Sequence, residues 1–141
     1  MARPGNVAED SQLRKGVLEL AVLAIVAAGE SEGGTYGGSL VERLAAHPAL
    51  TVTQGTVYPL LSRLRQRGIV ATTWQESPTG PPRRYYRLTD AGHARLATQA
   101  AAWRGLTADM TSLLHTVPGR ARPSAAETTH PSITSTTRSA R

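Results

Sequence analysis

The chain contains no cysteine, which excludes disulfides, thiolate zinc sites and cysteine nucleophiles at one stroke. Its four histidines, His47, His93, His115 and His130, are scattered, with no pair at a metal-ligand spacing. No metal and no cofactor is therefore expected. No apolar run approaches the roughly 20 residues needed to span a bilayer, so no membrane partner is expected either. Residues 1–11 are polar, include Glu9 and Asp10, and lack a basic segment leading into an apolar one. That is not a secretory signal, and the expected location is the cytoplasm. Catalytic constellations are missing too. The glycine-rich GESEGGTYGG at 29–38 follows a helical pattern rather than a strand and lacks the Lys-Ser/Thr of a phosphate-binding loop. Asp109, Ser112 and His115 are suggestive residue types, but at i, i+3 and i+6 they drift round one helix, with no nucleophile turn and no oxyanion hole. The expectation is a protein that is not an enzyme.

What the chain does have is positive charge. Its 141 residues make one domain with a modest core, and a net charge of +6 points to a polyanionic partner. All the basic residues but Lys15 are arginine, which suits bidentate contacts to phosphate and guanine. Arg, Ala and Gly also rise together in genomes rich in G and C, so the sign of the charge is the evidence, not the choice of arginine.

Hydrophobic spacing and composition divide the chain into 1–11, a flexible N-terminus; 12–88, a compact domain; 89–116, a long helix; and 117–141, a disordered tail. The tail is Pro/Ser/Thr/Ala-rich with a single long aliphatic residue, Ile133, too little apolar surface to offset its ordering entropy. A first helix is predicted over 12–28, with Leu13, Val17, Leu20 and Ala24 in one stripe and Leu18, Val22 and Ile25 beside it. Gly29 is a plausible stop. A second helix spans about 37–47, with Leu40, Val41 and Leu44 inward and Pro48 ending it. In TVTQGTVYPLLSRLRQRG at 51–68, Thr53 is a good N-cap, Val57, Leu60, Leu61 and Leu64 face the core, and Gly68 is a left-handed stop. Pro59 fits best if the regular helix starts nearer Gly55 or Thr56, which places the ring in the first turn.

IVATTWQE, SPTGPP and RRYYRL then read as strand, turn and strand. Thr89 can cap a last helix, about 90–115, whose Leu96, Ala100, Trp103, Leu106, Met110 and Leu113 form a near-heptad seam. At ~1.5 Å per residue this helix is about 40 Å long and outruns a domain of this size, so its natural partner is a second copy of the chain. The fold class is mainly α with a β-hairpin wing (α+β): a winged helix-turn-helix plus a long C-terminal dimerisation helix. In that arrangement one helix enters the major groove and the hairpin lies along the backbone or the adjacent minor groove.

Four segments carry more than an architecture. LRKGVLELAVLAIV at 13–26, TYGGSLVERL at 35–44, QGTVYPLLSRLRQRGIV at 54–70 and GPPRRYYRLTDAGHARL at 80–96 resemble, in order and separation, the motifs of the PadR (phenolic-acid decarboxylase regulator) family, in its short type with a single C-terminal helix. The resemblance spans about 13–115. It implies a homodimeric repressor that binds an inverted repeat in double-stranded DNA through its recognition helix and wing. Many such proteins are released by a small, often aromatic or drug-like effector, which some lodge between the subunits. In some, a tryptophan of the last helix stacks on it, and Trp103, fourteen residues after Thr89, falls at the matching position.

Between Thr53 and Arg87 there are six arginines, at 63, 65, 67, 83, 84 and 87, and one acid, Glu76, which leaves +5 on the recognition helix and wing. The N-terminal part of a recognition helix approaches base edges, so Gln54, Thr56 and Tyr58 are candidates for base contacts. In the competing structural reading, Thr56 caps the helix and Tyr58 packs on the hairpin. Arg63, and Arg83 or Arg84, are candidates for phosphates. Tyr36 either donates to phosphate or packs in the core. Tyr85 and Tyr86 point to opposite faces of their strand; Tyr86 is read as structural, and Trp74 as a cross-strand packing residue. An effector pocket or dimer interface is assigned to Leu13, Val17, Leu96, Ala100, Trp103 and Met110, although an aromatic at a seam position more often simply packs. The alternative from another class is a winged-helix module for protein–protein assembly that reads no DNA. RNA binding is disfavoured, because no aromatic platform interleaves the arginines.

Overall fold

The protein is described by a computed structural model over the backbone of residues 4–119 and the side chains of residues 14–119. Four α-helices and three strands follow one another among these residues: α1 (Pro4–Ala28), β1 (Thr35–Tyr36), α2 (Gly37–Ala45), α3 (Gln54–Gln66), β2 (Val70–Ser77), β3 (Gly80–Leu88) and α4 (Asp90–His115). The α+β winged helix-turn-helix and its long last helix are as the sequence predicts. No helix among the described residues is long and apolar enough to cross a membrane.

α1 begins well before the expected residue 12, so the flexible N-terminus read over 1–11 is helical from Pro4 on. Proline suits a first helical turn, where amide donors have no partner in any case. Residues 1–3, most of the expected tail (120–141) and the side chain of Leu13 lie outside what is described.

The core is the meeting of three helices with the sheet. Leu18, Val22, Leu23 and Val26 of α1, Leu40 and Leu44 of α2, Val57, Leu60, Leu61 and Leu64 of α3, Val70 of β2, and Tyr86 and Leu88 of β3 are all buried. Each aliphatic side chain so placed contributes ~1.5–3 kcal/mol relative to exposure. The wide apolar surface of α1 resolves into two faces: Leu18, Val22 and Val26 enter the core, whereas Val17 and Leu20 look into a separate groove, and Ala24 is exposed.

The helix α3 begins at Gln54, earlier than the placement favoured for Pro59, which therefore sits in the second turn. The proline is tolerated because the carbonyl it leaves without a donor belongs to Gly55, and both residues are exposed, so water replaces the lost bond. Thr53 occupies the cap position with its carbonyl, which accepts from the Thr56 and Val57 amides at 3.0 and 3.2 Å; its hydroxyl makes no capping bond. At the other end Gly68 takes φ of 71°, the left-handed conformation expected of it.

The hairpin is not free-standing. β1 pairs with the outer side of β3, giving a sheet of order β1-β3-β2, with Thr35 opposite Tyr86 and Tyr36 opposite Tyr85. On the other side Val70 faces Leu88, Thr72 faces Tyr86 and Trp74 faces Arg84. α4 leaves the sheet through a tight corner. The Ile69 carbonyl accepts from the Thr89 amide at 3.1 Å; the Thr89 hydroxyl donates to the Gly68 carbonyl at 2.5 Å, with the Ile69 carbonyl 3.1 Å away, and in turn accepts from the Gly92 amide at 3.1 Å. Gly92 is buried against the same carbonyl, and a Cβ there would overlap the Ile69 oxygen. Farther along, Arg95 pairs with Glu19 of α1, which also accepts from Gln99. The hydrogen bond and charge of Arg95 hold the Glu19 carboxyl below the usual carboxylate range, against a smaller opposing effect of burial.

Candidate nucleic-acid interface and the groove behind it

The outer face of α3 is polar and open. Gln54, Thr56, Arg63, Arg65 and Arg67 are exposed, while the aliphatic residues between them are buried. None of the ion pairs among the described residues, Arg43–Glu32, His93–Glu30 and Arg95–Glu19, uses an arginine of α3 or of the hairpin. The arginines of these two elements thus stand outside the ion pairs among the described residues, as suits a surface for a polyanion.

Thr56 lies in the third helical position, so it does not cap α3. Tyr58 packs on α2. Its ring, 42% exposed, lies over Gly37 at the start of α2, where a Cβ would stand 2.5 Å from Cε1 and 2.7 Å from the hydroxyl oxygen. Only glycine leaves room for the ring where it lies. The neighbouring Gly38 is covered in the same way by Tyr36, whose Cε2 is 3.0 Å from where a Cβ would sit. The Gly37–Gly38 pair is therefore a seat for two tyrosines, one from the recognition helix and one from β1.

On the hairpin, side chains alternate between two faces. Arg83 and Tyr85 share the face of Tyr36, and Arg84 and Tyr86 share the face of Trp74. Tyr36 meets Tyr85 edge-on at 5.6 Å, and the Arg83 guanidinium carbon lies 4.5 Å from the Tyr36 ring centre. Across the strand the Arg84 guanidinium carbon lies 4.9 Å from the ring centre of Trp74, which is 65% exposed. The hairpin thus has two cation–π stacks. Trp74 does pack across the strands, as the sequence suggests, but its partner is a cation rather than an apolar residue. Trp74 standing opposite Arg84 is legible once the strand register is known, and not before.

The effector residues are placed less evenly. Between α1, the turn at 48–50 and α4 lies an open groove of about 900 Å³, lined mainly by Val17, Leu20, Leu50, Trp103 and Leu106, with Arg14 and Gln99 at its polar margin. Val17 and Trp103 meet there, as the sequence suggested. Leu96 packs against the core instead, and neither Ala100 nor Met110 is among the lining residues. Sequence spacing does not assign Leu20, Gln99 or Leu106 to this site, nor the turn Pro48–Leu50, of which it singles out only Pro48, as a helix stop. Arg14 ties that turn to α1 by donating to the Thr51 carbonyl at 2.8 Å. The Gln99 carbonyl oxygen is buried without a hydrogen-bond partner, while its amide nitrogen is held by Glu19. From Leu106 at the groove onward, α4 exposes an apolar strip in which Leu106, Leu113 and Leu114 are each more than 60% accessible.

The model of the transcriptional regulator PadR-like family matches residues 22–98. Among solved structures, a PadR family transcriptional regulator from Eggerthella lenta is similar at 33% identity and a TM-score of 0.66, over 79% of this chain and 93% of that one. A PadR-like transcriptional regulator from Bacillus cereus shares 34% identity at a TM-score of 0.64, over 73% of this chain and 96% of its own. A Streptococcus transcriptional regulator shares 32% at 0.63, over 72% and 96%. A comparison with curated protein sequences returned no match.

Proposed function

The chain belongs to the PadR-like family of transcriptional regulators, and from that premise we propose that it is a homodimeric repressor of an inverted-repeat DNA operator, released by a small aromatic effector. Proteins of this family are regulators, not enzymes. The observation that carries the DNA reading is the +5 charge of α3 and the hairpin, none of it engaged in the ion pairs among the described residues. Gln54 and Thr56, open at the start of α3, are the base-reading candidates; Tyr58, seated on Gly37, stands beside them. Arg63, Arg83 and Arg84 hold phosphates, fixing position rather than sequence.

The dimer reading rests on the apolar strip of α4, which no other described element covers. Two-fold pairing through such helices sets the recognition helices about 34 Å apart, one turn of DNA. The effector reading rests on the groove beside it: an apolar cleft with one exposed aromatic face, Trp103. That lining suits a flat, largely apolar ligand.

The test is selection of bound genomic DNA fragments by the purified protein at two salt concentrations. Enrichment of one palindromic site that weakens with salt is the expected result. Retention of fragments with no shared sequence overturns it and returns the assembly-module reading.

A further inference from the structure

We propose that Trp74 and Tyr36 are positioning residues for DNA binding, each holding one of the adjacent arginines Arg84 and Arg83 ready on opposite faces of the hairpin. The inference rests on the DNA reading above. The surface it describes fits a duplex approached by the hairpin edge, with one phosphate strand on either side.

The argument begins with the cost of using an arginine. A free arginine side chain carries ~2 kcal/mol of rotamer entropy, part of which is lost when it grips a phosphate. Laying the guanidinium on an aromatic face beforehand moves that loss from binding to folding. Of the six arginines of α3 and the hairpin, Arg83 and Arg84 are the two that lie on rings, at 4.5 and 4.9 Å. They are also half-buried, whereas Arg63, Arg65, Arg67 and Arg87 are exposed.

The Arg84 Nε is buried without a partner. Its stack with Trp74 therefore leaves the two terminal nitrogens as the donors available to a ligand, the fork that matches phosphate oxygens. Trp74 stands 65% exposed at mid-hairpin with the Arg84 guanidinium on its ring. On the opposite face, Tyr36 is held by Tyr85 and by the close approach to Gly38, so the platform beneath Arg83 is itself fixed. Because neighbouring residues of a strand alternate in direction, the two prepared cations point away from each other. A single phosphate cannot take both, but the two strands bordering a minor groove can.

The experiment measures binding of the full chain to a fluorescently labelled mixed-sequence duplex across a salt series, for wild type, W74A, W74F, R84A and W74A/R84A. Mixed sequence suffices because phosphate contacts carry no sequence information. W74A is expected to weaken binding about two- to fivefold, the scale of one exposed cation–π contact, and W74F to recover part of the loss. The salt slope of W74A should equal that of wild type, whereas R84A should lower it by about 0.9, the loss of one phosphate contact. In W74A/R84A the tryptophan should add nothing to the loss from R84A, because it acts through that arginine. Y36A against R83A should repeat the pattern.

Wild-type affinity in W74A, or losses that simply add in W74A/R84A, overturns the inference while leaving DNA binding intact. A wild-type protein with no salt-dependent binding to any duplex overturns the DNA reading itself. Near-ultraviolet circular dichroism and melting temperature separate either result from misfolding of W74A, and W74F supplies the folded control.

Discussion

Gly37→Ala separates the packing of the recognition helix from its function. The added Cβ would stand 2.5 Å from Tyr58 Cε1 and 2.8 Å from Cζ, whereas carbon atoms in contact rest near 3.5–4.0 Å. The ring must therefore retreat by about 1 Å or more. It can do so cheaply, because Tyr58 is 42% exposed and the obstructing atoms lie at the free end of its side chain. Gly37 does not have a positive φ, so alanine fits the backbone, and reduced freedom of the unfolded chain returns about 0.4–1 kcal/mol. The melting temperature should thus stay within a few degrees of wild type. DNA affinity should fall about tenfold or more, because a hydrogen bond to a charged group is worth ~1.5–3 kcal/mol and depends on placement. Fluorescence anisotropy with the selected operator duplex, beside differential scanning calorimetry, reads both quantities. Tyr58→Phe is the companion, keeping the ring on its seat and removing the hydroxyl. Unchanged affinity in Gly37→Ala would refute a DNA role for Tyr58. A fall in melting temperature of ten degrees or more would show that the tyrosine seat is a structural element in its own right.

Gly92→Ala should behave in the opposite way, since its obstacle is the Ile69 carbonyl in a buried corner; a loss of about 1–3 kcal/mol by chemical denaturation is expected, and an unaltered midpoint would contradict the corner as described. Thr89→Ala should cost about 1 kcal/mol in the same assay through loss of the cap to Gly92. Glu19 has a depressed folded-state pKa, so its contribution is present above the unfolded carboxyl value and is lost as pH falls through the folded one. Glu19→Gln should therefore be less stable than wild type at neutral pH, with the gap closing in acid; a gap constant with pH would remove the Arg95 pairing as its cause. Leu106→Glu with Leu113→Glu, both on the exposed strip of α4, should convert a dimer to a monomer by light scattering at micromolar concentration. A persistent dimer would place the interface elsewhere.

Much of this was legible in the chain because local chemistry and global fold agree. Gly68, Thr89 and the aliphatic spacing of α3 each announce one conformation, and each adopts it. The failures have physical reasons. The strand β1 is two residues long, too short for any alternation to register. Pro59 argued for a later helix start, but an exposed Gly55 carbonyl made the earlier one cheap. Long-range pairings were hidden altogether: Tyr58 on Gly37, Arg84 on Trp74 and the turn at 48–50 beside Trp103 depend on register and crossing angle, which sequence spacing does not encode. The site residues could be named by type, while their supports could not.

The corner at Ile69 has a consequence for how a dimeric regulator would measure its operator. One carbonyl oxygen joins the exit of the recognition helix to the entry of α4, and a glycine without a side chain locks the angle between them. In a dimer built on α4, that angle becomes the hinge of a pair of calipers, converting the pairing of two long helices into the span between two reading heads. The spacing of the half-sites is then written in a few residues that touch neither DNA nor ligand. A bulkier residue at 92 would leave each head able to grip its own half-site and unable to grip both at once.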